Sequence, residues 1–265
     1  MTSAVDSQGR VSYFWRGADV MNPMDPLPLE PWLGREIQVT FDGDIHCVAS
    51  GKRIKKAYGE GMSYDAFLKS PLACPSIIRP ELSRIHEGIA LRDEAWERAN
   101  HLQPHVVYLS QTSHLKVGVT RATNVPSRWV DQGAVGAIVV ANTPYRQLAG
   151  EIEVTLKDVL SDRTQWRAML KEVDLEADAL VDAKDECLEM LGMSYEPFFE
   201  ESDDITKLTF PVQSYPAKVT SVKLDKRPVM HGKLTGIKGQ YWMFDDGHVW
   251  NVRAHAGYRV SIEVQ

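Results

Sequence analysis

Residues 105 to 121 read HVVYLSQTSHLKVGVTR, and this stretch decides the fold of the chain. His105 to Ser110 is an apolar, β-branched run of the kind found in buried strands. His114 to Thr120 has the same character, and only Gln111-Thr112-Ser113 separates the two runs. Two strands joined by so short a connection predict an antiparallel hairpin.

The residues that follow the hairpin predict a short helix, a strand and two further helices. Pro126 is placed to open the short helix, and residues 135–141 form an apolar run typical of a buried strand. Apolar residues at helical spacing predict a helix from Pro144 to about Leu160, and Asp162 is the expected N-cap of the next helix. The predicted element order of this central region is therefore β-β-α-β-α-α.

Strands are also predicted on both sides of the central region. Arg35 to Phe41 and Ile45 to Val48 predict a hairpin around the turn Asp42-Gly43-Asp44. Short apolar runs between residues 218 and 264 predict a small β-barrel, which the strands around residues 35–48 can close. We therefore expect an α+β protein with four regions: a strand-rich region at residues 1–103, the central region at 104–171, an acidic helical linker at 172–206 and the barrel-like region at 207–265.

The composition excludes several classes of protein. The longest apolar run, residues 134–141, is far shorter than the roughly 20 residues of a membrane-spanning helix. Charged residues interrupt the first 25 positions, so no signal-peptide core is expected there. Three cysteines are too few for a disulfide scaffold and are usual in a reducing compartment. We expect a cytoplasmic protein without a membrane partner.

The charge is unevenly distributed along the chain. The net charge is −6, which by itself argues against a nucleic-acid-binding protein. Residues 172–205, however, contain thirteen acidic side chains and one lysine, so the rest of the chain is net positive. The acidic segment is either a solvated helix face or an element that covers a basic groove.

Four side chains of the central region have the chemistry needed for phosphodiester cleavage, which requires a base, a cationic group and a metal-binding carboxylate. Tyr108 can orient or deprotonate water if a cation such as Lys116 lowers its pKa. Arg128 can bind a phosphate through two hydrogen bonds. Glu153 with several waters suits Mg²⁺ or Mn²⁺, and Glu151 is the competing carboxylate.

Each of these residues also has an ordinary structural interpretation. A tyrosine in a strand is more often part of the core, and an Arg-Trp pair on a helix usually packs against its neighbours. A glutamate on a helix is usually solvated. The functional interpretation therefore depends on all four residues occurring together on one consistent element order.

Taken together, the four residues and the element order resemble the GIY-YIG nuclease fold. Enzymes of that fold cut phosphodiesters with two tyrosines, an arginine and a glutamate that holds a divalent cation. The resemblance implies that Tyr108 is the tyrosine of the first motif and that Lys116-Val117-Gly118 is the second motif, with lysine in place of tyrosine. It further implies that Arg128 and Glu153 are the arginine and the metal-binding glutamate.

A more extended similarity runs from about residue 35 to the end of the chain. Over this length the sequence resembles a bacterial family known as the domain of unknown function 2797 family, whose activity is not settled. The stretches that carry the similarity are residues 105–109, 115–121, 126–134, 162–167, 169–171, 215–219, 236–241 and 251–253.

The same resemblance makes the segment before the hairpin a degenerate zinc ribbon. Family members have several cysteines there at zinc-ligand spacing, but here Cys47 is followed by Ser50 where a Cys-x-x-Cys pair would end. Cys74 is the second cysteine that remains, and the other expected ligand positions hold Ser63, Ala66, Ile77 and Ser83. We therefore do not expect a bound zinc ion.

These observations favour a nucleic-acid-binding protein with metal-dependent endonuclease activity, for DNA or RNA. The expected nucleic-acid contacts are Lys116, Thr120, Arg121, Arg128, Trp129 and Gln132. The alternative is a catalytically inactive scaffold that binds a protein partner. A nuclease requires the four site residues to converge on one open, positively charged face, whereas a scaffold buries them or closes Arg128 and Glu153 into a salt bridge.

Overall fold

The computed structural model describes residues 1–16, 25–161 and 163–265, and these residues form two compact units. Unit 1 contains residues 1–69, 170–172 and 209–265, and unit 2 contains residues 70–169 and 173–208. The units cut across the four regions that the sequence suggested, because residues 70–103 fold with the central region. Asp162, the expected N-cap, lies outside the described residues.

The strands of the described residues are short except for two long ones in unit 1. They are β1 (Thr2–Val5), β2 (Val11–Trp15), β3 (Leu27–Pro28), β4 (Glu36–His46), β5 (Arg53–Ile54), β6 (His105–Gln111), β7 (Leu115–Arg121), β8 (Gly136–Thr143), β9 (Thr206–Lys207), β10 (Thr220–Val222), β11 (Val229–Lys238), β12 (Tyr241–Phe244), β13 (His248–Asn251) and β14 (Tyr258–Val264). The α-helices are α1 (Tyr64–Lys69), α2 (Glu94–His101), α3 (Ser127–Asp131), α4 (Arg146–Leu156), α5 (Trp166–Met169) and α6 (Ala177–Leu191).

Unit 1 is built on a curled, half-barrel sheet in the order β10-β13-β12-β11-β4-β14, with β5 paired to β4. A separate sheet in the order β1-β2-β3 completes the strands of this unit. Trp242 and Trp250 are buried in the unit and pack edge to face, with ring centroids 5.2 Å apart. The predicted C-terminal strands therefore form, and an N-terminal strand joins their sheet as expected.

The predicted hairpin around Asp42-Gly43-Asp44 is wrong. Residues 36–46 form the single strand β4, which pairs with β11 on one side and β14 on the other. The pairing with β14 jumps from Tyr258 opposite Ile45 to Val260 opposite Phe41, so the three residues form a bulge. Gly43 takes φ of +89° there, a conformation that suits a bulge as well as a turn.

Unit 2 is built on an antiparallel sheet in the order β7-β6-β8-β9. The elements β6, β7, α3, β8, α4 and α5 follow one another in the predicted β-β-α-β-α-α order. Helices α4 and α6 cover the sheet face formed by Val107, Leu109 and Val117. Because side chains alternate along a strand, Tyr108 and Gly118 lie on the other face.

Helix α6 is part of the core of unit 2 rather than a linker. Leu180, Cys187 and Leu191 on this helix are buried in the same apolar cluster as the central strands. Its Lys184 is also buried, and the Nζ atom lies 2.8 Å from Oδ1 of Asp203. Most acidic side chains of the helix are exposed, which matches the solvated-face interpretation of the acidic segment.

Candidate functional site

The side chain of Tyr108 lies directly over Gly118, its partner on the neighbouring strand. A Cβ atom at Gly118 would lie 2.7 Å from the Tyr108 hydroxyl oxygen and 2.8 Å from Cζ, so a residue without a side chain is needed there. The hydroxyl donates a 3.0 Å hydrogen bond to Oε1 of Gln132, and Trp129 packs edge to face on the ring. Helix α3 thus covers the phenol from above.

The pKa of Tyr108 is raised, although the sequence suggested that a nearby cation would lower it. The side chain is fully buried, and loss of hydration disfavours the phenolate more than the neighbouring Arg128 charge favours it. The expectation of a lowered pKa is therefore wrong. A protonated phenol near neutral pH is a hydrogen-bond donor and not a ready base.

Arg128 and Glu153 both act electrostatically on Tyr108. Arg128 is exposed on the first turn of α3, and its positive charge favours the Tyr108 phenolate and so opposes the rise in the pKa of Tyr108. Glu153 is 7% exposed on α4, and its Oε2 lies 3.3 Å from Nζ of Lys157 one turn later. The competing Glu151 is exposed and accepts a hydrogen bond from Gln147. Of the two carboxylates, Glu153 is the one whose charge raises the pKa of Tyr108.

Lys116 is 2% exposed and lies on β7 opposite Ser110. Strand alternation puts its side chain on the same sheet face as Gly118, two residues along. Three of the four residues that the sequence singled out are therefore buried, and Arg128 is the exposed one. Of the other expected nucleic-acid contacts, Thr120 and Trp129 are buried, and Arg121 and Gln132 are half-buried.

Arg146 belongs to this cluster and was missed by the sequence analysis. Its Nε and Nη2 atoms each donate a 2.9 Å hydrogen bond, to the carbonyl oxygens of Ser76 and Ile77. Burial lowers the pKa of Arg146 to about 10. The negative charge of Glu153 opposes this shift, and the positive charges of Arg128 and Arg121 add to it.

A signal for Arg146 was nevertheless present in the sequence. It is the first residue of α4, and a cation is unfavourable at the positive end of a helix dipole. An arginine in that position therefore needs other interactions that offset the unfavourable interaction with the helix dipole. The carbonyl oxygens of the 3-10 turn at residues 75–77 provide the hydrogen bonds that hold it.

The expected zinc-ligand positions of unit 1 lie together around Cys47. The backbone N–H of Ser63 donates a 3.2 Å hydrogen bond to the Cys47 sulfur. Hydrogen bonds to the sulfur, led by the one from the Ser50 side chain, lower the pKa of the Cys47 thiol to about 6. Among residues 1–16, 25–161 and 163–265, no three His, Cys, Asp or Glu side chains are grouped so that they could hold a metal ion.

Protein purified without a chelator is predicted to contain less than about one equivalent of zinc, because one thiol and two serines do not complete a tetrahedral zinc site. Elemental analysis of the wild type and of Cys47→Ser measures this directly. A full equivalent in the wild type that is lost in Cys47→Ser would contradict the prediction.

No helix in the described part of the chain has both the length and the apolar character needed to span a membrane. Comparison with curated proteins gives no match, and comparison with solved structures gives none either. The family model described as "Protein of unknown function (DUF2797)" matches residues 34–260. The match spans both compact units and includes every candidate site residue, and the chain therefore belongs to the DUF2797 family.

Proposed function

We propose that unit 2 binds nucleic acid through its phosphates and that Tyr108, Lys116, Arg128 and Glu153 form a phosphodiester-cleaving site, as the likeness to the GIY-YIG fold implies. The observation that carries the proposal is the electrostatic coupling of Tyr108 to both Arg128 and Glu153. The coupling supports the proposal because it links side chains from a strand and from two helices that lie far apart in the sequence.

Arg128 is the residue that meets the phosphate. It is exposed on α3, and a guanidinium can donate two parallel hydrogen bonds to phosphate oxygens. Tyr108 donates a hydrogen bond from its hydroxyl to Gln132, the residue that follows α3, so in this proposal it positions α3 and donates a proton rather than accepting one. In this proposal Lys116, which is buried on the same sheet face as Gly118, adds positive charge to the site.

Glu153 is the proposed ligand of Mg²⁺ or Mn²⁺. A single carboxylate fits such an ion when waters and phosphate oxygens of the substrate complete the shell, because Mg²⁺ keeps much of its hydration. When bound, the ion would supply charge stabilisation for the phosphate in the transition state. The proximity of Lys157 and Arg146 makes binding of a cation unfavourable before the substrate phosphate arrives.

One observation favours the alternative, a scaffold that binds a protein partner. Tyr108, Lys116 and Glu153 are at most 7% exposed, whereas a nuclease needs reacting groups that the substrate can reach. A binding and cleavage assay with single-stranded, duplex and branched substrates, with and without Mg²⁺ or Mn²⁺, separates the two functions.

Two substitutions are predicted to act in opposite ways on nucleic acid. Arg128→Ala should weaken binding of all sequences alike and reduce the slope of log affinity against log salt by roughly one unit, because one phosphate contact is lost. Glu153→Gln should leave metal-free binding unchanged or tighter, since it removes a negative charge, and should abolish metal-dependent cleavage. Filter binding over a salt series and a cleavage assay measure both.

Matched controls exist on neighbouring surfaces of unit 2. Glu151→Gln changes an exposed carboxylate two residues away on α4, and Arg98→Ala removes an exposed arginine that Glu94 already neutralises at 2.9 Å. Both controls should keep wild-type binding and cleavage. If Glu153→Gln lowers the melting temperature but leaves the affinity for nucleic acid unchanged, the result supports the scaffold function and rejects the nuclease function.

A further inference from the structure

Residues 51–58 form a surface loop of unit 1, which we call the basic loop, and its backbone is held at both ends. The backbone N–H of Cys47 donates a 2.9 Å hydrogen bond to the carbonyl oxygen of Lys52, and β5 then pairs with the end of β4. At the other end, Tyr58 and Met62 exchange two backbone hydrogen bonds of 2.8 and 2.9 Å. The loop therefore presents its side chains from a defined backbone.

The basic loop carries four exposed cationic side chains and no acidic one: Lys52, Arg53, Lys55 and Lys56. The charge of Arg53 is offset by Asp44, because the Nη2 atom of Arg53 lies 2.5 Å from Oδ1 of Asp44. In the part of the chain that the structure describes, no carboxylate oxygen lies within 4.0 Å of the Nζ atoms of the three lysines. Like charges that no neighbour offsets repel one another, so the loop favours the approach of an anion.

Two tyrosine rings lie beside these cations. The Nζ atom of Lys56 lies 5.0 Å from the ring centroid of Tyr58, and the ring centroids of Tyr58 and Tyr64 are 5.1 Å apart at an interplanar angle of 57°. Tyr64 is the first residue of α1 and is 54% exposed. A cation and two aromatic rings therefore lie side by side on the surface of unit 1.

This combination of side chains matches the chemistry of a single-stranded nucleic acid. The phosphates of a single strand bind to lysines, and its unpaired bases can stack on aromatic rings. A duplex keeps its bases stacked inside, so the tyrosine rings would have no base to contact. An acidic protein segment would pair with the lysines but has no planar base to offer the rings.

We propose that the basic loop, together with Tyr64, binds a single-stranded nucleic acid, with the lysines on the phosphates and the rings of Tyr58 and Tyr64 on the bases. The inference goes beyond the proposed function, because it assigns a second nucleic-acid-binding surface, on unit 1, and names single strands as its ligand. It uses none of the residues assigned to the cleavage site of unit 2, so each proposal can fail without the other.

The test measures the affinity of the full chain for a labelled oligonucleotide of about 12 nucleotides, as a single strand and as a duplex, over a series of salt concentrations. Replacing Lys52, Lys55 and Lys56 together by serine should reduce the slope of log affinity against log salt by about 2 for the single strand, because each phosphate contact contributes about 0.7. Tyr64→Ala should weaken single-strand binding at least about fivefold at an unchanged slope, because one stacking contact is lost. Tyr64→Phe keeps the ring and should bind as the wild type does.

Replacing Lys223, Lys226 and Lys233 together by serine is the matched control, because it removes the same charge from exposed positions elsewhere in unit 1. This control should keep the wild-type affinity and slope. Melting temperatures show whether each variant is folded, and Tyr64→Ala, a single change at an exposed position, tests the inference if the triple basic-loop variant does not fold.

An unchanged salt slope in the basic-loop variant overturns the inference, and so does an equal loss of slope in the control. Unchanged single-strand affinity in Tyr64→Ala, or an equal loss of duplex affinity, also overturns it. If the basic-loop variant keeps wild-type binding while Arg128→Ala loses it, only this inference is wrong. The reverse result retains this inference and rejects nucleic-acid binding by unit 2.

Discussion

Acidification from pH 8 to pH 5 is expected to lower the free energy of unfolding by about 2 kcal/mol for each of His101 and His105. Both imidazoles are buried, and their pKa falls from 6.5 to about 4 on folding. In this interval the unfolded chain binds protons that the folded chain does not. The stabilisation is therefore complete above pH 6.5 and is lost progressively as the pH falls toward 4.

Urea denaturation at a series of pH values measures this loss. His105→Asn keeps the hydrogen-bond donor toward Gln103 but cannot titrate, so its stability should fall less steeply between pH 8 and pH 5 than that of the wild type. Ser83→Ala is the control, because it removes the 3.2 Å partner of His101 Nδ1 but leaves both titrating groups. If the free energy of unfolding fell equally steeply with decreasing pH in the wild type and in His105→Asn, His105 would not be buried as described.

Gly118→Ala is expected to destabilise the protein by roughly 3 kcal/mol, because overpacking of a well-packed core costs about that much. The new Cβ would lie 2.7 Å from the hydroxyl oxygen of Tyr108, which is fully buried and held by Gln132. The ring cannot move without displacing helix α3. Denaturant unfolding measures the change in the free energy of unfolding.

A double-mutant cycle tests the stated cause. In a Tyr108→Leu background the aromatic ring is absent, so the added cost of Gly118→Ala should shrink to well under half of its value in the wild type. An equal cost in both backgrounds would mean that the glycine is needed for another reason.

Local sequence pattern was enough to predict the framework of unit 2. Apolar β-branched runs with a three-residue connection gave the hairpin, and helical spacing gave the order of the helices that follow. The α+β class is confirmed, and so is membership of the DUF2797 family over residues 34–260. The GIY-YIG likeness and its site residues stay predictions.

The predictions that were wrong or incomplete share one physical cause. In each case the structure around a residue is decided by residues that are far from it in the sequence. Asp42-Gly43-Asp44 has the chemistry of a turn, but pairing with β14, more than 200 residues later, keeps the strand continuous. The pKa of Tyr108 is governed by burial under α3, which sequence spacing does not reveal. Arg146 was missed because its partners are backbone carbonyls at residues 76 and 77, which no side-chain motif marks.

The position of β4 between β11 and β14 also has a consequence for how the chain folds during synthesis. Residues 36–46 are synthesised well before either of the strands that flank them, β11 and β14. Residues 70–169 and 173–208, by contrast, lie between these segments and find their main partners nearby in sequence. Local contacts form faster than distant ones. Unit 2 is thus the part that can fold first, while β4, apart from its short pairing with β5, waits with unpaired edges. Unpaired strand edges are the condition in which strands most readily pair with other chains.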